Sequence, residues 1–485
     1  MTGSSTPRSR HRLPIPPAVR ELLVVHPMPS RRRSATVAAL CTAVPILVGQ
    51  AVDQPVLGLL ASTGALAALY GGRGTSRQEA AAVAGVGLVL AVGMALGSAL
   101  AGHALLAVAG TALWAAVVAA LFAAVPARPP GIVMPVLVCS VGSGLPPGHT
   151  AQRALGVAVV GALAAVLSWA AARFGAPGSP PEHADAGGPV LRLRLVLAAF
   201  PRSPFPWMAI RTGAAVGVAG VASLLCQVGR PYWAMAAAAA VLARGSHAAS
   251  ANTRAVLRGT GTAVGCLLAG ALAATHPRGV TTAVLLAALT FVIELVVARN
   301  YAVAMVFVTP LSVLLVTSAT GMSAVLTITA DRLLETVLGC VAAAVAGQLV
   351  SRGWAVRHRR QAVADVLTAS ADLLQAPGEP RHRVALLQAR NRLQLVSERT
   401  AGERRAVRTA ASALDEVAAS TLDLAGQVLD RPEALRPDAA GAARALRQLA
   451  ARVDPGAGPD PETAASEPPP GLTSLRTALD EYAAR

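Results

Sequence analysis

Between Ala80 and Val125 the chain reads AAAVAGVGLVLAVGMALGSALAG (80–102), His103, then ALLAVAGTALWAAVVAALFAAV (104–125), with no Asp, Glu, Lys or Arg in the whole stretch. A hydrocarbon layer about 30 Å thick takes about 20 apolar helical residues to cross. Each of the two runs is long enough to cross alone. Small side chains dominate them, which in lipid lets helices approach closely and associate through van der Waals contact. Lipid is therefore the expected solvent for this part of the protein.

Runs of the same character occupy roughly 34–51, 55–70, 131–147, 153–173, 209–227, 231–245, 256–275, 279–298, 301–320 and 332–351. With the first two they predict an all-α membrane protein of about twelve transmembrane helices, the second and eighth short enough to be tilted, re-entrant or half-helices. Composition agrees. The 485 residues are 54% hydrophobic, 3% aromatic and 14% charged, with a mean hydropathy of +0.54. A soluble domain carries about a quarter charged residues, so a soluble enzyme and a disordered chain are both excluded.

Residues 1–351 hold 23 Arg against 8 acids, whereas residues 352–485 hold 19 against 17. The net charge of +17 does not point to nucleic acid, because the Arg lie in short connections between apolar runs and do not line one face of a polar domain. They fall on alternate connections: Arg73 and Arg77, Arg128, Arg173 to Arg202, Arg244 to Arg258, Arg299, and Arg352 to Arg360. The opposite connections hold Asp53, His103, His149, Arg230, His276 and Arg278. The positive-inside rule then predicts a multi-pass membrane protein with both termini cytoplasmic. The five Cys are isolated within apolar runs and read as small core residues.

The expected organisation is a basic cytoplasmic leader (1–33), a first membrane segment (34–173), a cytoplasmic linker (174–208), a second membrane segment (209–351), a cytoplasmic helical domain (352–453), and a Pro-rich linker with a short terminal helix (454–485). In the helical domain Val363, Leu367 and Leu374 form one apolar stripe. Leu386, Leu387, Leu393 and Val396 form a second, and Leu414, Val417, Leu422 and Leu429 a third. Such stripes need a surface to cover them, either within the bundle or in a homo-oligomer.

The two membrane segments resemble one another. QPVLGLLASTGALAALYGG from Gln54 and RPYWAMAAAAAVLARG from Arg230 each open a short helix with Pro. Pro55 to Pro135 is 80 residues and Pro231 to Pro310 is 79, while Pro55 to Arg77 is 22 and Pro231 to Arg254 is 23. Arg153 and Arg332 open the last apolar run of each segment. Six helices per copy is an even number, so the expected repeats are parallel, related by an axis along the membrane normal. Pro135 and Pro310 are read as mid-helix breaks. At matching positions in two halves such breaks mark transporter sites, because Pro leaves a carbonyl one turn earlier without its donor; ordinary helix kinking is the plainer account.

The second segment carries AIRTG (209–213), RPYWA (230–234), NTRAVLRGTGTAVG (252–265), NYAVAMVFVTP (300–310) and DRLLETVLG (331–339). This combination resembles the FUSC family, the fusaric-acid-resistance-like integral membrane transporters, which are related to aromatic acid exporters. The resemblance covers 209–351 well and leaves 34–173 as a degenerate copy. It implies export across the membrane, and it names a ligand less securely than it implies transport.

Few polar groups in the membrane segments can carry chemistry. Glu294 lies inside the tenth run, and a carboxylate at that depth costs roughly 2.5–3.5 kcal/mol, so it faces a cavity or a partner. It reads either as a proton-coupling group or as an ion pair with Arg299 or Arg258. Arg332 and Glu335, three apart on one helical face, form a local pair or an outer gate, and Asp331 beside them complements the dipole of its own helix. Arg254 and Arg258 either anchor the inner face or form a funnel that gathers anions. Tyr232, Trp233 and Tyr301 read first as an aromatic belt, with stacking on an aromatic ring as the alternative. No nucleotide loop, H-E-x-x-H, nucleophile elbow or dinucleotide fingerprint occurs, so no enzymatic activity, cofactor or metal is expected. The resulting expectation is gradient-driven efflux of small organic anions such as aromatic carboxylates. A passive anion channel and a membrane scaffold acting through its C-terminal domain are the alternatives.

Overall fold

A computed structural model of the chain describes residues 22, 24, 31–71, 75–124, 130–174, 205–243, 248–320, 324–376, 379–400, 417, 419–423 and 439–454. All regular structure among them is helical. Most of the leader, linker residues 175–204, Leu414, Leu429 and the Pro-rich segment lie outside the described residues.

The helices follow the apolar runs. They are α1 (Arg32–Ala51), α2 (Pro55–Ala61, continued as a 3-10 segment Ser62–Tyr70), α3 (Ser76–Ala99), α4 (Ala104–Ala124), α5 (Val133–Ser143) and α6 (Thr150–Phe174). Then come α7 (Phe205–Leu225), α8 (Pro231–Leu242), α9 (Ala248–Ala273), α10 (Val280–Val296), α11 (Tyr301–Thr320) and α12 (Val325–Gln375). Among the described residues α1, α3, α4, α6, α7, α9 and α11 are long and apolar enough to cross a bilayer. The chain is a multi-pass membrane protein. Pro55–Tyr70, α5, α8 and α10 are apolar but shorter.

The fifth run differs from expectation. Its helix has only 11 residues, about 16 Å, half the thickness of the hydrocarbon layer. Pro135 is not a mid-helix break, because α5 begins at Val133 and a first-turn Pro forfeits no intrahelical bond. Pro310 does lie inside α11.

The two short helices occupy the interior. Every residue from Trp233 to Leu242 in α8 is buried, and so is the 3-10 segment apart from Leu66. A helix apolar on every side belongs inside, and five consecutive Ala, Ala236 to Ala240, let neighbours approach α8 closely. Gly339 of α12 sits against the Ala234 carbonyl, and a Cβ there would also lie 2.7 Å from the Ala237 methyl. Gly339→Leu is accordingly expected to destabilise the membrane unit by about 1–3 kcal/mol, read as a lowered unfolding temperature in detergent.

Contacts between α1–α6 and α7–α12 are reciprocal. α1 packs on α10 and α7 on α4; α2 touches α11 and α8 packs on α5. The α1–α2 and α7–α8 turns also close alike. Asp53 and Gln227 both take positive φ, 54° and 53°. The Gln54 N–H donates to the Gly49 carbonyl at 2.7 Å, and the Val228 N–H donates to the Ser223 carbonyl at 3.1 Å. Each is the five-residue-back bond of a Schellman cap, here without the usual Gly.

The chain divides into two compact units, Met1–Ala243 with Asn252–Ala343 and Arg244–Ala251 with Ala344–Arg485. In the second unit the end of α12, α13 (Pro380–Thr400) and α14 (Ala439–Val453) supply its helices. Its core includes Val363, Leu367, Leu374, Leu386, Leu393, Val417 and Leu446. Leu387 faces out of the stripe assigned to it, at 42% exposure. Arg392 pairs with Asp365 at 2.7 Å and Arg447 with Asp372 at 2.8 Å. Those side chains are largely exposed, so each pair contributes about 0–1 kcal/mol.

Candidate functional site

Polar groups meet where α12 faces the start of α8. Arg230 precedes Pro231, which opens α8. The Arg230 backbone N–H donates to Glu335 Oε1 at 2.7 Å, and its Nη1 donates to Asp331 Oδ2 at 3.1 Å. Glu335 thus places its charge at the positive end of the α8 dipole. Asp331 was expected in the first turn of its own helix. It lies further in, because Val325–Ala330, a mainly apolar stretch with Thr327 and Thr329, extends α12 ahead of it, and its partner is Arg230.

Arg332 points along the same face. Its guanidinium carbon lies 4.9 Å from the centre of the Trp233 ring, and that of Arg230 lies 5.8 Å away. Both are within cation–π range. Tyr232 meets Trp233 edge-on with centroids 5.4 Å apart. Trp233 is 2% exposed, so it belongs to this interior cluster and not to an interfacial belt. Arg332 and Glu335 are also buried. Arg332 Nε and Nη1 and Glu335 Oε2 carry no hydrogen bond among the described residues.

α9 brings a third guanidinium near this level. Cys266 Sγ approaches the Thr329 carbonyl and Cys340 Sγ the Ala255 carbonyl, both at 3.7 Å. These contacts fix an antiparallel register in which Arg258 comes level with Thr336 and Val337, about one turn inward of Arg332. Arg258 is buried; its Nη1 reaches the Tyr301 hydroxyl at 3.0 Å and Met305 Sδ at 3.3 Å, and its Nε has no partner among the described residues. The cluster therefore holds three guanidinium groups, Arg230, Arg258 and Arg332, against two carboxylates, Asp331 and Glu335. Val313, one turn beyond Pro310, packs in the core around Trp233. The end of α5 abuts the cluster as well, since a Cβ on Gly144 would lie 2.6 Å from Tyr232 Cδ1.

Three residues singled out in the sequence lie apart. Arg254 is half-buried and directs Nη1 at the Ala240 and Val241 carbonyls, each at 3.5 Å. It neutralises the negative end of α8 and does not share a funnel with Arg258. Pro135 belongs to α5, where its carbonyl accepts from Trp114 Nε1 at 3.1 Å. The carbonyl that Pro310 leaves without its helical donor, Val306, lies against Gly265 of α9.

Glu294, the third, sits in the last turn of α10 at the α1 interface. Its partner is Arg31, neither Arg299 nor Arg258: Arg31 Nη2 lies 2.8 Å from Glu294 Oε1, with side-chain exposures of 19% and 1%. Ser34 Oγ donates to the same oxygen at 2.9 Å, and Arg31 Nη2 also reaches the Leu69 carbonyl at 2.7 Å. Further along the interface Thr42 meets Thr290 at 3.5 Å and Gln50 Nε2 donates to the Gly279 carbonyl at 2.9 Å. Asn300, which caps α11 through the Val303 N–H, holds the Leu22 and Val24 carbonyls of the leader at 3.0 and 3.1 Å.

Among the described residues the first membrane segment assembles no such cluster. Arg153, which opens the last apolar run there as Arg332 does in the second segment, donates Nη1 to the nearby Pro146 carbonyl at 2.9 Å. Gly156 stands three residues on, where the second segment has Glu335, and it packs against Ala61. Sequence reading missed Arg230 and Arg31 as partners. Arg230 stands beside the helix-opening Pro231, which is a usable signal, whereas nothing local marks Arg31.

Residues 217–346 match the family described as fusaric acid resistance protein-like. A relative named uncharacterized membrane protein YvaC, from Bacillus subtilis (strain 168), is 28% identical over 204 residues, 40% of this chain and 32% of its own length. The chain thus spans about a third of the relative it matches. No solved structure matches. The match covers most of the second membrane segment, Arg230–Glu335 cluster included, so this multi-pass membrane protein is similar there to the fusaric acid resistance protein-like family.

Proposed function

We propose that the protein is a plasma-membrane transporter that exports small organic anions, aromatic carboxylates among them, through the cluster at the start of α8. The observation that carries this reading is Arg332: a buried guanidinium, beside aromatic rings, whose Nε and Nη1 have no partner among the described residues, in a cluster of three guanidinium groups and two carboxylates. A carboxylate would accept from those donors in a charge-assisted pair, and Tyr232 and Trp233 would flank its apolar part. Two parallel six-helix repeats with both termini cytoplasmic frame the site; the reciprocal contacts and matched turns support the duplication. Pro310, Tyr301 and the Pro135 helix line its approaches.

Glu294 is the coupling group in this proposal. Its ion pair joins the first helix of one repeat to the fourth of the other. Protonating the carboxylate would release Arg31 and loosen that joint, which ties proton movement to the reorientation that alternating access requires.

Proteoliposomes loaded with benzoate and given a pH gradient test this. Wild type is expected to release benzoate at least tenfold faster with the gradient than without, and Glu294→Gln is expected to show only the gradient-independent rate. Equal release with and without the gradient in wild type would make the protein a passive channel. Unchanged stimulation in Glu294→Gln would remove Glu294 from coupling.

A further inference from the structure

A groove of about 450 Å³ opens between α1 and α6, at the Arg-bearing start of the first and the end of the second. Leu40, Leu167, Ala170 and Ala171 form its apolar wall, Arg32 and Arg33 stand at its mouth, and no acid is among its lining residues. The side chains of both Arg make no hydrogen bond or ion pair among the described residues, although neighbouring Arg31 is committed to Glu294. Arg173, three residues beyond Ala170, adds a cation on the same side of α6, with its guanidinium over the Phe174 ring. Away from the mouth the groove meets exposed apolar ridges, Leu40, Val44 and Leu47 on α1 and Val159 and Val166 on α6.

Two unpaired cations above an apolar trough match one chemistry: an anionic headgroup with an acyl chain below it. We propose that this groove is a binding site for an anionic phospholipid, with the phosphate held by Arg32 and Arg33 and a chain laid along α1 and α6. Because Arg31 is the N-cap of α1, lipid in the groove would set the pose of the helix start next to the Arg31–Glu294 pair. The site rests on the membrane reading alone and stands whether or not the protein transports anions.

The test titrates phosphatidylglycerol into the full-length, delipidated protein in dodecyl maltoside, following the unfolding temperature and counting bound lipid by native mass spectrometry. Phosphatidylglycerol is expected to stabilise wild type, and R32Q/R33Q to need about thirty-fold more for half the effect, with R32K/R33K close to wild type. Ala170→Trp, which keeps both charges and fills the trough, is expected to lose binding as well; it carries the test if R32Q/R33Q does not fold. Equal midpoints in wild type and R32Q/R33Q would overturn the site, as would equal stabilisation by phosphatidylcholine. Full binding in Ala170→Trp would overturn the acyl trough. An equal effect of glycerol phosphate would make it a free-phosphate site, and a lipid-independent change of oligomeric mass in R32Q/R33Q would assign the groove to a second copy.

Discussion

Arg31→Ala is expected to destabilise the membrane unit by about 3–5 kcal/mol, the cost of leaving a buried carboxylate without its cation. Glu294 has 1% of its side chain exposed, so water cannot replace the guanidinium, and Ser34 offers only one hydroxyl. The loss is asymmetric. Glu294→Gln leaves Arg31 partly exposed and bonded to the Leu69 carbonyl, and its amide still accepts from Ser34, so it is expected to cost about 1–2 kcal/mol. The double variant Arg31→Ala with Glu294→Gln is expected to recover much of the Arg31→Ala loss, because no charge is then stranded. Detergent unfolding of the four proteins, read as a double-mutant cycle, checks this. Additive losses would mean that the pair is not coupled.

Arg332→Gln is expected to separate function from stability in the opposite sense. The guanidinium is buried, with Nε and Nη1 unpartnered among the described residues, so replacing it removes a desolvated charge along with one cation–π contact to Trp233. These effects oppose one another, and stability should remain within about 2 kcal/mol of wild type. Anion efflux, in contrast, is expected to fall at least tenfold, since the donors that would meet the carboxylate are gone. A buried group that costs folding energy is one retained for activity. Full efflux in Arg332→Gln would exclude the guanidinium from the path.

Sequence pattern located nearly every helix of the membrane part, because crossing lipid demands long apolar runs and a run of that length leaves little ambiguity. The shortness of the second and eighth runs was legible too. The fifth run reads as longer than its helix, although Gly144, Pro146 and Pro147 end it at Ser143; at its start only the backbone turn over Gly131 and Ile132 places Pro135 in the first turn. Residues near one another in sequence do share the site, Arg332 with Glu335 and Tyr232 with Trp233. The local Arg332–Glu335 pair expected from their spacing is not formed among the described residues, because Glu335 accepts from the Arg230 N–H instead. Partners far apart were illegible. Arg31 and Glu294 are separated by 263 positions, and neither neighbourhood announces the other. Asp331 was misread for a related reason, since a helix's true start depends on apolar residues that composition treats as loop or helix alike.

One consequence concerns α8. A shaft faced with Ala236 to Ala240 bears no knobs tall enough to lock a neighbour into a groove, and ridge-into-groove interlocking is what normally pins helices in register. Opposite Gly339 the mating surface is equally smooth. Bulkier helices hold one another by interlocking side chains. Between Ala236 and Ala240, α8 meets its neighbours through methyl groups alone, so its register must be held at its ends, by Trp233 and the polar cluster on one side and by Arg254 on the other.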